Sequence, residues 1–221
     1  MAALTFTLNK VIAKNIDCSV LTPNALEGKT LTQIRSLALP GSHKASDFFD
    51  VSGEDASHIV FKNSHSCLFN IGHRMSKGLI TVEGHCGDFL GNELQGGTII
   101  CKGNAGDRVG NQMRRGMILV EGSVGEYCAS TMKAGTIGVL GTTGARLGFG
   151  MKRGTLLLAQ TPAEQVTWLD CGLHSLPFLK LLFKSFALFD TQFARLNNAR
   201  VHRWMGDVAG MGKAEILVLQ S

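Results

Sequence analysis

The chain has 221 residues, of which 44% are hydrophobic, with 27 glycines and only 4 prolines, a composition that suits a packed core and excludes a disordered or collagen-like chain. Its net charge of +5 permits an acidic partner without requiring one. No apolar run reaches the ~18 residues of a membrane-spanning helix. The stretch "MAALTFTLNK" lacks the layout of a secretory signal, so we expect a cytoplasmic protein without a membrane partner.

The first part of the chain, residues 1–56, carries no repeat and is predicted to be a small amino-terminal cap. The stretch "LTFTL" predicts a strand, because apolar residues alternate there with threonine. Thr22 and Pro23 occupy the N-cap and first position of a predicted short helix. Turn-forming residues dominate "PGSHKASDFFDVSGED", which predicts a loop over residues 40–55.

Residues 57–160 contain a 19-residue repeat with the pattern G-x-x-G-x-x-x-G. One such copy would be a weak phosphate-loop signal. Four copies in register indicate a repeat architecture instead, and no Lys-Ser/Thr pair follows any copy. We therefore interpret the glycines as corner residues, which allow a positive φ or a close approach between neighbouring repeats. The corner glycines are Gly84, Gly87, Gly91, Gly103, Gly106, Gly110, Gly122, Gly125, Gly141, Gly144 and Gly148.

Short apolar segments between the glycines, such as "GLITVEG" and "GMILVEG", predict one strand per repeat. Like residues recur in columns, one of which is Ile80, Ile99, Ile118, Ile137 and Leu156. Nineteen residues at about 3.3 Å each make a circuit of about 60 Å. The predicted fold is therefore all-β, a right-handed parallel β-helix of about five 19-residue rungs. The first rung matches the repeat poorly, because His65 and Leu68 stand in place of glycines.

Residues 161–221 are predicted to form a carboxy-terminal helix plus strand. An apolar face that includes Leu179, Phe183 and Phe186 predicts a helix over residues 176–198. The final stretch "RWMGDVAGMGKAEILVLQ" predicts a loop and then a strand. Both flanks are expected to cap the exposed ends of the β-helix, because open sheet edges invite aggregation. The alternative is that the helix docks on a partner.

The glycine register and the closing motif "RWMGD…GKAEILV" resemble the C subunit of formylmethanofuran dehydrogenase and, equally, the C subunit of the bacterial formyltransferase/hydrolase complex. The β-helix is also similar to the carboxy-terminal domain of the glutamate synthase large subunit. The resemblance implies a cytoplasmic complex that handles formyl groups on a methanofuran-like carrier and tetrahydromethanopterin, with the metal in a partner subunit. It also implies that this chain is a non-catalytic structural subunit that binds no cofactor or metal of its own.

The partners that the resemblance implies are amidohydrolase-like, formyltransferase and dehydrogenase-like subunits. The short chain and the "LPFLKLLFKSF" helix resemble the hydrolytic form more closely. The molybdenum or tungsten dehydrogenase is the alternative, and a free-standing binding module is a less favoured one.

Six bases and no acid occur in the pairs of positions that precede the five predicted strands, although the second pair, Gln95-Gly96, has no base. The bases are Lys77, Arg114, Arg115, Lys133, Lys152 and Arg153. This strip is either a solvated face or a docking strip for an acidic subunit or an anionic carrier tail. The resemblance makes a carrier tail one candidate, because furan carriers bear glutamate-containing tails. Few aromatic residues are interleaved with these bases, so no nucleic-acid partner is expected.

Acidic side chains form a column of their own in the repeat. Asp88, Asp107 and Glu126 share this column and are expected to face water or a neighbouring base rather than a metal.

The pairs His65 with Cys67 and His85 with Cys86 offer zinc-ligand types, but adjacent residues of a strand point to opposite faces, which favours a structural role. No C-x-x-C pair is present, so the six cysteines are expected to be reduced and mostly buried.

Overall fold

The computed structural model describes residues 2–9, 15–163, 167–198 and 200–220. Of these described residues, 36% lie in strands and 12% in helices, so the fold is mostly β. The strands are β1 (Ala3–Leu8), β2 (Ile16–Asp17), β3 (Ala38–Leu39), β4 (His43–Lys44), β5 (Phe49–Ser52), β6 (Asp55–Ser64), β7 (Leu68–Phe69), β8 (Leu79–Gly84), β9 (Thr98–Cys101), β10 (Met117–Val120), β11 (Thr136–Val139), β12 (Arg153–Leu158), β13 (Leu169–Ser175), β14 (Arg200–Gly206) and β15 (Lys213–Leu219). The helices are α1 (Pro23–Leu26), α2 (Leu31–Arg35) and α3 (Pro177–Phe186), with 3-10 turns at Ala45–Asp47 and Gln192–Arg195.

One large mixed sheet organises the molecule, in the order β13-β14-β15-β12-β11-β10-β9-β8-β6-β1-β5. From β6 to β12 the neighbouring strands are parallel. The predicted column is confirmed, because Ile80 pairs with Ile99, Ile99 with Ile118 and Ile118 with Ile137. The sheet is open, so the all-β prediction holds in its coarser form, a mostly β fold on one large sheet.

The loops that follow the central strands are also hydrogen-bonded from one repeat to the next. The backbone N–H groups of Cys86 and Phe89 donate to the carbonyl oxygens of Asn104 and Asp107, at 2.9 and 2.8 Å. Isolated parallel bridges continue the same stacking through Val124. The apolar columns lie between strands and loops and form the main core, in which the methionine column at Met75, Leu94, Met113, Met132 and Met151 is fully buried.

The amino-terminal residues extend this sheet at its first end. Strand β1 is parallel to β6 and antiparallel to β5, and Phe6 stacks on Phe61 at 5.5 Å between ring centroids. The prediction of a loop over residues 40–55 is wrong in part, because this stretch contains β4, a 3-10 turn and β5. The buried side chains of Phe49 and Val51 alternate with exposed ones, a pattern too short to stand out among turn-forming neighbours.

The carboxy-terminal residues extend the sheet at its other end with three strands rather than one. Strand β15 is parallel to β12, and β14 and β13 follow it in antiparallel pairing. The predicted helix over residues 176–198 is shorter, because α3 ends at Phe186 and Thr191 caps a separate 3-10 turn by accepting a hydrogen bond from the Phe193 amide. Among the described residues, no helix is long and apolar enough to cross a membrane.

Helix α3 covers the outer face of the sheet. Its buried residues Leu179, Phe183 and Phe186 belong to a second core cluster with outward-facing strand residues such as Leu119 and Leu157. Outward residues of the parallel strands are apolar here because they are buried on this side as well.

Candidate functional site

The predicted basic strip lies at the corners that precede the central strands. The amides of Arg114, Lys133 and Lys152 donate to the carbonyl oxygens of Leu94, Met113 and Met132, at 2.8, 2.7 and 2.8 Å. These three bases therefore stand on consecutive repeats in one column, and Arg115 and Arg153 occupy the neighbouring column. Of these five side chains, that of Lys133 is half-buried and the other four are exposed.

Two lysines change the membership of the strip. The Nζ of Lys77 lies 2.6 Å from Glu27 Oε2 of the amino-terminal segment, so a local carboxylate already matches this charge. At the other end, β15 places Lys213 directly beside Arg153. Lys213 is absent from the predicted strip, although "KAEILV" aligned with "RGTLLL" repeats the pattern of a base followed by apolar strand residues.

An open cleft of about 500 Å³ lies at the strip, lined by Arg74, Glu93, Gln95, Arg114 and Arg115. Arg74 Nε donates to Glu93 Oε2 at 3.0 Å, and this hydrogen bond holds the pKa of Glu93 below its usual value. Glu93 is therefore ionised at neutral pH. Three guanidinium groups face this one carboxylate, so the cleft has an excess of positive charge and can bind carboxylate or phosphate groups through paired N–H donors.

The acidic column serves the stacking of the repeats. Asp88 Oδ1 accepts a hydrogen bond from the Asp107 amide at 2.8 Å, and Asp107 Oδ1 accepts one from the Glu126 amide at 2.7 Å. Glu126 Oε2 lies 3.4 Å from Arg146 Nη1. Within the described ranges, no group of three or more His, Cys, Asp or Glu side chains is placed to hold a metal ion.

His65, His85 and Cys86 of the zinc alternative line one cavity of about 270 Å³ without Cys67, and among the described residues they do not form a metal-ligand group. His85 is exposed, and its Nδ1 accepts a hydrogen bond from the Asn104 amide at 2.9 Å. Cys86 points into the core, where its Sγ lies 3.8 Å from Cys101 Sγ. His65 and Cys67 are divided in the same way, one exposed and one buried. In both pairs the imidazole is exposed and the thiol is buried, in loops that follow β6 and β8.

Burial suppresses the reactivity of the cysteines. Five of the six side chains are buried and Cys171 is half-exposed. Burial raises the pKa of Cys128 to about 12, and the hydrogen bond to Cys101 together with burial raises the pKa of Cys86.

We expect one rapidly reacting thiol in the native protein at pH 8, that of Cys171, because the other five thiols are buried and out of reach of the reagent. Native labelling with iodoacetamide and peptide mapping checks this, with labelling in denaturant as the control for all six. Rapid native labelling of Cys128 would contradict it.

A stack of arginine and aromatic side chains occupies another corner and was not predicted. The guanidinium carbon of Arg108 lies 4.6 Å from the ring centroid of Tyr127 and 5.9 Å from that of Phe89, and that of Arg146 lies 5.0 Å from Tyr127. These four residues recur every 19 positions, so the repeat alignment contained the signal. Such cation–π contacts stiffen the corner and present Arg and Tyr side chains at the surface.

The corner glycines fall into two groups. Gly84, Gly91, Gly110 and Gly148 have positive φ, with values from 64° to 139°. At others, such as Gly106, Gly125 and Gly141, a Cβ atom would lie within 3 Å of atoms of the preceding repeat.

Comparison with known proteins finds similarity to chains of two multi-subunit enzymes. No protein-family model matches the chain. The chain is 30% identical over 95 residues to the C subunit of the molybdenum-containing formylmethanofuran dehydrogenase 1 of Methanosarcina barkeri. This match covers 39% of this chain and 32% of the relative's length. A chain of the formyltransferase/hydrolase complex (FhcABCD) from Methylorubrum extorquens, solved with methylofuran, is 26% identical with a TM-score of 0.62, covering 98% of this chain and 100% of that chain. The resemblance to the C subunit of formylmethanofuran dehydrogenase and to the formyltransferase/hydrolase complex is therefore confirmed.

Proposed function

We propose that this chain is a non-catalytic structural subunit, the C subunit, of a cytoplasmic formyltransferase/hydrolase complex that handles formyl groups on a methanofuran-like carrier. The observation that carries the proposal is the similarity along nearly the whole of both chains to a chain of the FhcABCD complex. The M. barkeri relative, a subunit of another multi-subunit enzyme, supports it over a shorter region.

The architecture that we propose for this role has three parts. Residues 1–56 form a cap, residues 57–160 form a right-handed parallel β-helix with 19-residue rungs, and residues 161–221 form a second cap or docking segment. The parallel register of the central strands and the matching hydrogen bonds between loops support this division. A solenoid in which each rung contacts only its neighbours is a rigid platform with long, regular faces, as a scaffold subunit requires.

The basic strip and its cleft are proposed to guide an anionic part of the carrier. Arg114, Lys133 and Lys152 follow one another at the spacing of neighbouring strands, about 4.8 Å, and Arg115 borders the same cleft. A row of fixed positive charges attracts a chain of carboxylates without selecting one conformation. The relative of known structure was solved with methylofuran, which fits a furan-type carrier.

Removing the charge of the strip should weaken the use of the carrier. In the complete complex, changing Arg114, Arg115, Lys133 and Arg153 to alanine is expected to raise KM for the carrier about tenfold and to leave kcat unchanged, because steering charges act on binding. Salt should reduce the difference from wild type.

The matched control removes four exposed bases outside the strip, Lys29, Lys44, Lys62 and Arg200, so that the net charge is the same. An unchanged KM together with normal assembly would exclude the strip from carrier binding. An equal rise in KM in the control would assign the effect to net charge alone.

A molybdenum or tungsten formylmethanofuran dehydrogenase is the second candidate, favoured by the 30% identity over 95 residues to a subunit of such an enzyme. Gentle purification of the complex from its own cells, with mass spectrometry and metal analysis, separates the two. Companion subunits with zinc and without molybdenum or tungsten support the hydrolytic complex, whereas molybdenum or tungsten with iron indicates the dehydrogenase. A chain that is recovered alone and binds a small anion would instead be a free-standing binding module.

A further inference from the structure

Helix α3 is anchored to the sheet by one of its faces only. Leu179, Phe183 and Phe186 are buried on the outer face of the sheet, and the Phe193 ring from the following turn packs against Phe186 at 5.6 Å. The anchored face fixes the position of the helix, so whatever its outer face presents is held in place before any partner arrives.

The outer face of the helix carries a second apolar stripe. Phe178, Leu181 and Leu188 are 40%, 70% and 81% exposed. Phe178 and Leu181 lie three positions apart and share one side of α3. Leu188 lies in the turn that follows the helix, where its amide donates to the Ser185 oxygen at 3.4 Å. Single exposed leucines are ordinary, but three large exposed apolar side chains on a fixed helix and the turn after it form a patch of the kind that partners cover.

A groove with a mostly apolar surface continues this stripe across the sheet. Leu188 and Phe189 line a cavity of about 260 Å³ together with Val60, Leu79 and Ile100 of the first central strands. Polar and charged side chains complete its lining: His58, Thr81, Glu83, and Lys102 paired with Asp190. This is the part of the outer sheet face that α3 does not reach. The stripe and the groove meet at Leu188, so one elongated partner element can contact both.

The charges beside the stripe define the chemistry of that partner. Lys180 and Lys184 are exposed along one side of the stripe, and none of the ion pairs within the described ranges involves either. A second copy of this chain would bring like lysine pairs together in a two-fold symmetric contact. Two lysines on an apolar border instead complement carboxylates on the opposing surface.

We propose that the outer stripe of α3 and the adjoining groove dock an amphipathic helix of a companion subunit, whose apolar face is bordered by Asp or Glu residues. The inference rests on the proposed function, because it requires companion subunits. The mode is that of a helix laid into an apolar groove, with leucines as anchors and the lysine pair setting orientation.

The test uses the complex formed by co-expressing the affinity-tagged chain with its companion subunits. Leu181→Asp with Leu188→Asp is expected to weaken association with one companion at least about 100-fold, since buried leucine anchors become charged. Leu169→Asp with Leu173→Asp is the matched control, because these leucines of β13 are 59% and 53% exposed and lie outside the surface. Melting temperatures of the isolated variants establish that both are folded.

The role of the two lysines is tested by the double variant Lys180→Glu with Lys184→Glu. At low ionic strength this variant should associate with the companion about tenfold more slowly than wild type, and at about 0.5 M salt the difference should be smaller. An association rate that the change leaves unaltered would overturn the acidic border. Cross-linking from a cysteine placed at Leu181 should recover a companion peptide with apolar residues at helical spacing and Asp or Glu beside them.

Loss of a companion in the helix variant alone supports the docking surface. Retention of all companions by the helix variant, or equal loss in both variants, would overturn it while leaving the proposed function intact. A wild-type chain that recovers no companion would instead refute the proposed function, and the docking surface with it.

Discussion

Gly141→Ala is expected to destabilise the chain by about 3 kcal/mol, because the added methyl group has no space between two repeats. Its Cβ would lie 2.5 Å from the carbonyl carbon of Gly122, 2.6 Å from the Gly122 oxygen and 2.6 Å from the Ser123 nitrogen. All three are backbone atoms, so no side-chain rotation relieves the clash. The repeats must separate, which stretches the 3.0 Å hydrogen bond from the Gly141 amide to the Gly122 oxygen.

The control for this variant is Gly28→Ala. Gly28 has a φ of 74°, and a Cβ built there meets nothing within 4 Å. Only backbone strain opposes alanine at this position, which costs about 1 kcal/mol. Urea unfolding of both variants measures the difference, and the Tm of Gly141→Ala should fall by roughly 6–12 °C. Equal losses in the two variants would show that close approach between repeats does not make glycine necessary at position 141.

Phe193→Ala is expected to cost about 3–5 kcal/mol, the range for removing a buried aromatic side chain. Phe193 is fully buried. Its ring occupies a notch in the sheet at Gly138, where a Cβ atom would lie 2.6 Å from Phe193 Cε1. The lost contacts should also expose the segment around α3 to protease before the central repeats. Phe178→Ala, at a ring that is 40% exposed, should change the free energy of unfolding by no more than about 0.5 kcal/mol in the isolated chain.

A double-mutant cycle isolates the notch itself. Gly138→Ala should be costly in the wild-type chain, because the new methyl group displaces the Phe193 ring. The same change should cost much less in the Phe193→Ala background, because the other nearby atom, Leu119 Cδ2 at 3.0 Å, belongs to a side chain that can rotate. A coupling energy near zero would contradict the packing of the ring against Gly138.

Much of the central architecture can be predicted from the sequence, because every repeat makes the same contacts with its neighbours. Ile99 and Ile118 stand 19 residues apart and pair directly, so a column of like letters predicts the parallel register. The candidate strip follows from the same alignment for Arg114 and Lys133. His85 is exposed and its neighbour Cys86 is buried, but both lie in the loop after β8, so strand alternation is not the reason for this difference.

The flanks were harder to predict because their strands are short and find partners far away in the chain. Strand β5 has four residues and is stabilised by pairing with β1, more than 40 residues earlier. Strands β13 and β14 carry no repeat and join the sheet through β15, which pairs with β12. Propensity alone does not select such pairings, since tertiary contacts supply most of their stability.

By itself, the sequence determined the 19-residue register, the stacked apolar columns and the column of bases, because each depends on a periodicity that every repeat restates. Only the tertiary structure decided which charges act together. It pairs Lys77 with Glu27, places Lys213 beside Arg153 and leaves Leu181 exposed on an anchored helix. These contacts join segments that share no repeat, so their geometry arises from packing, which no local pattern encodes.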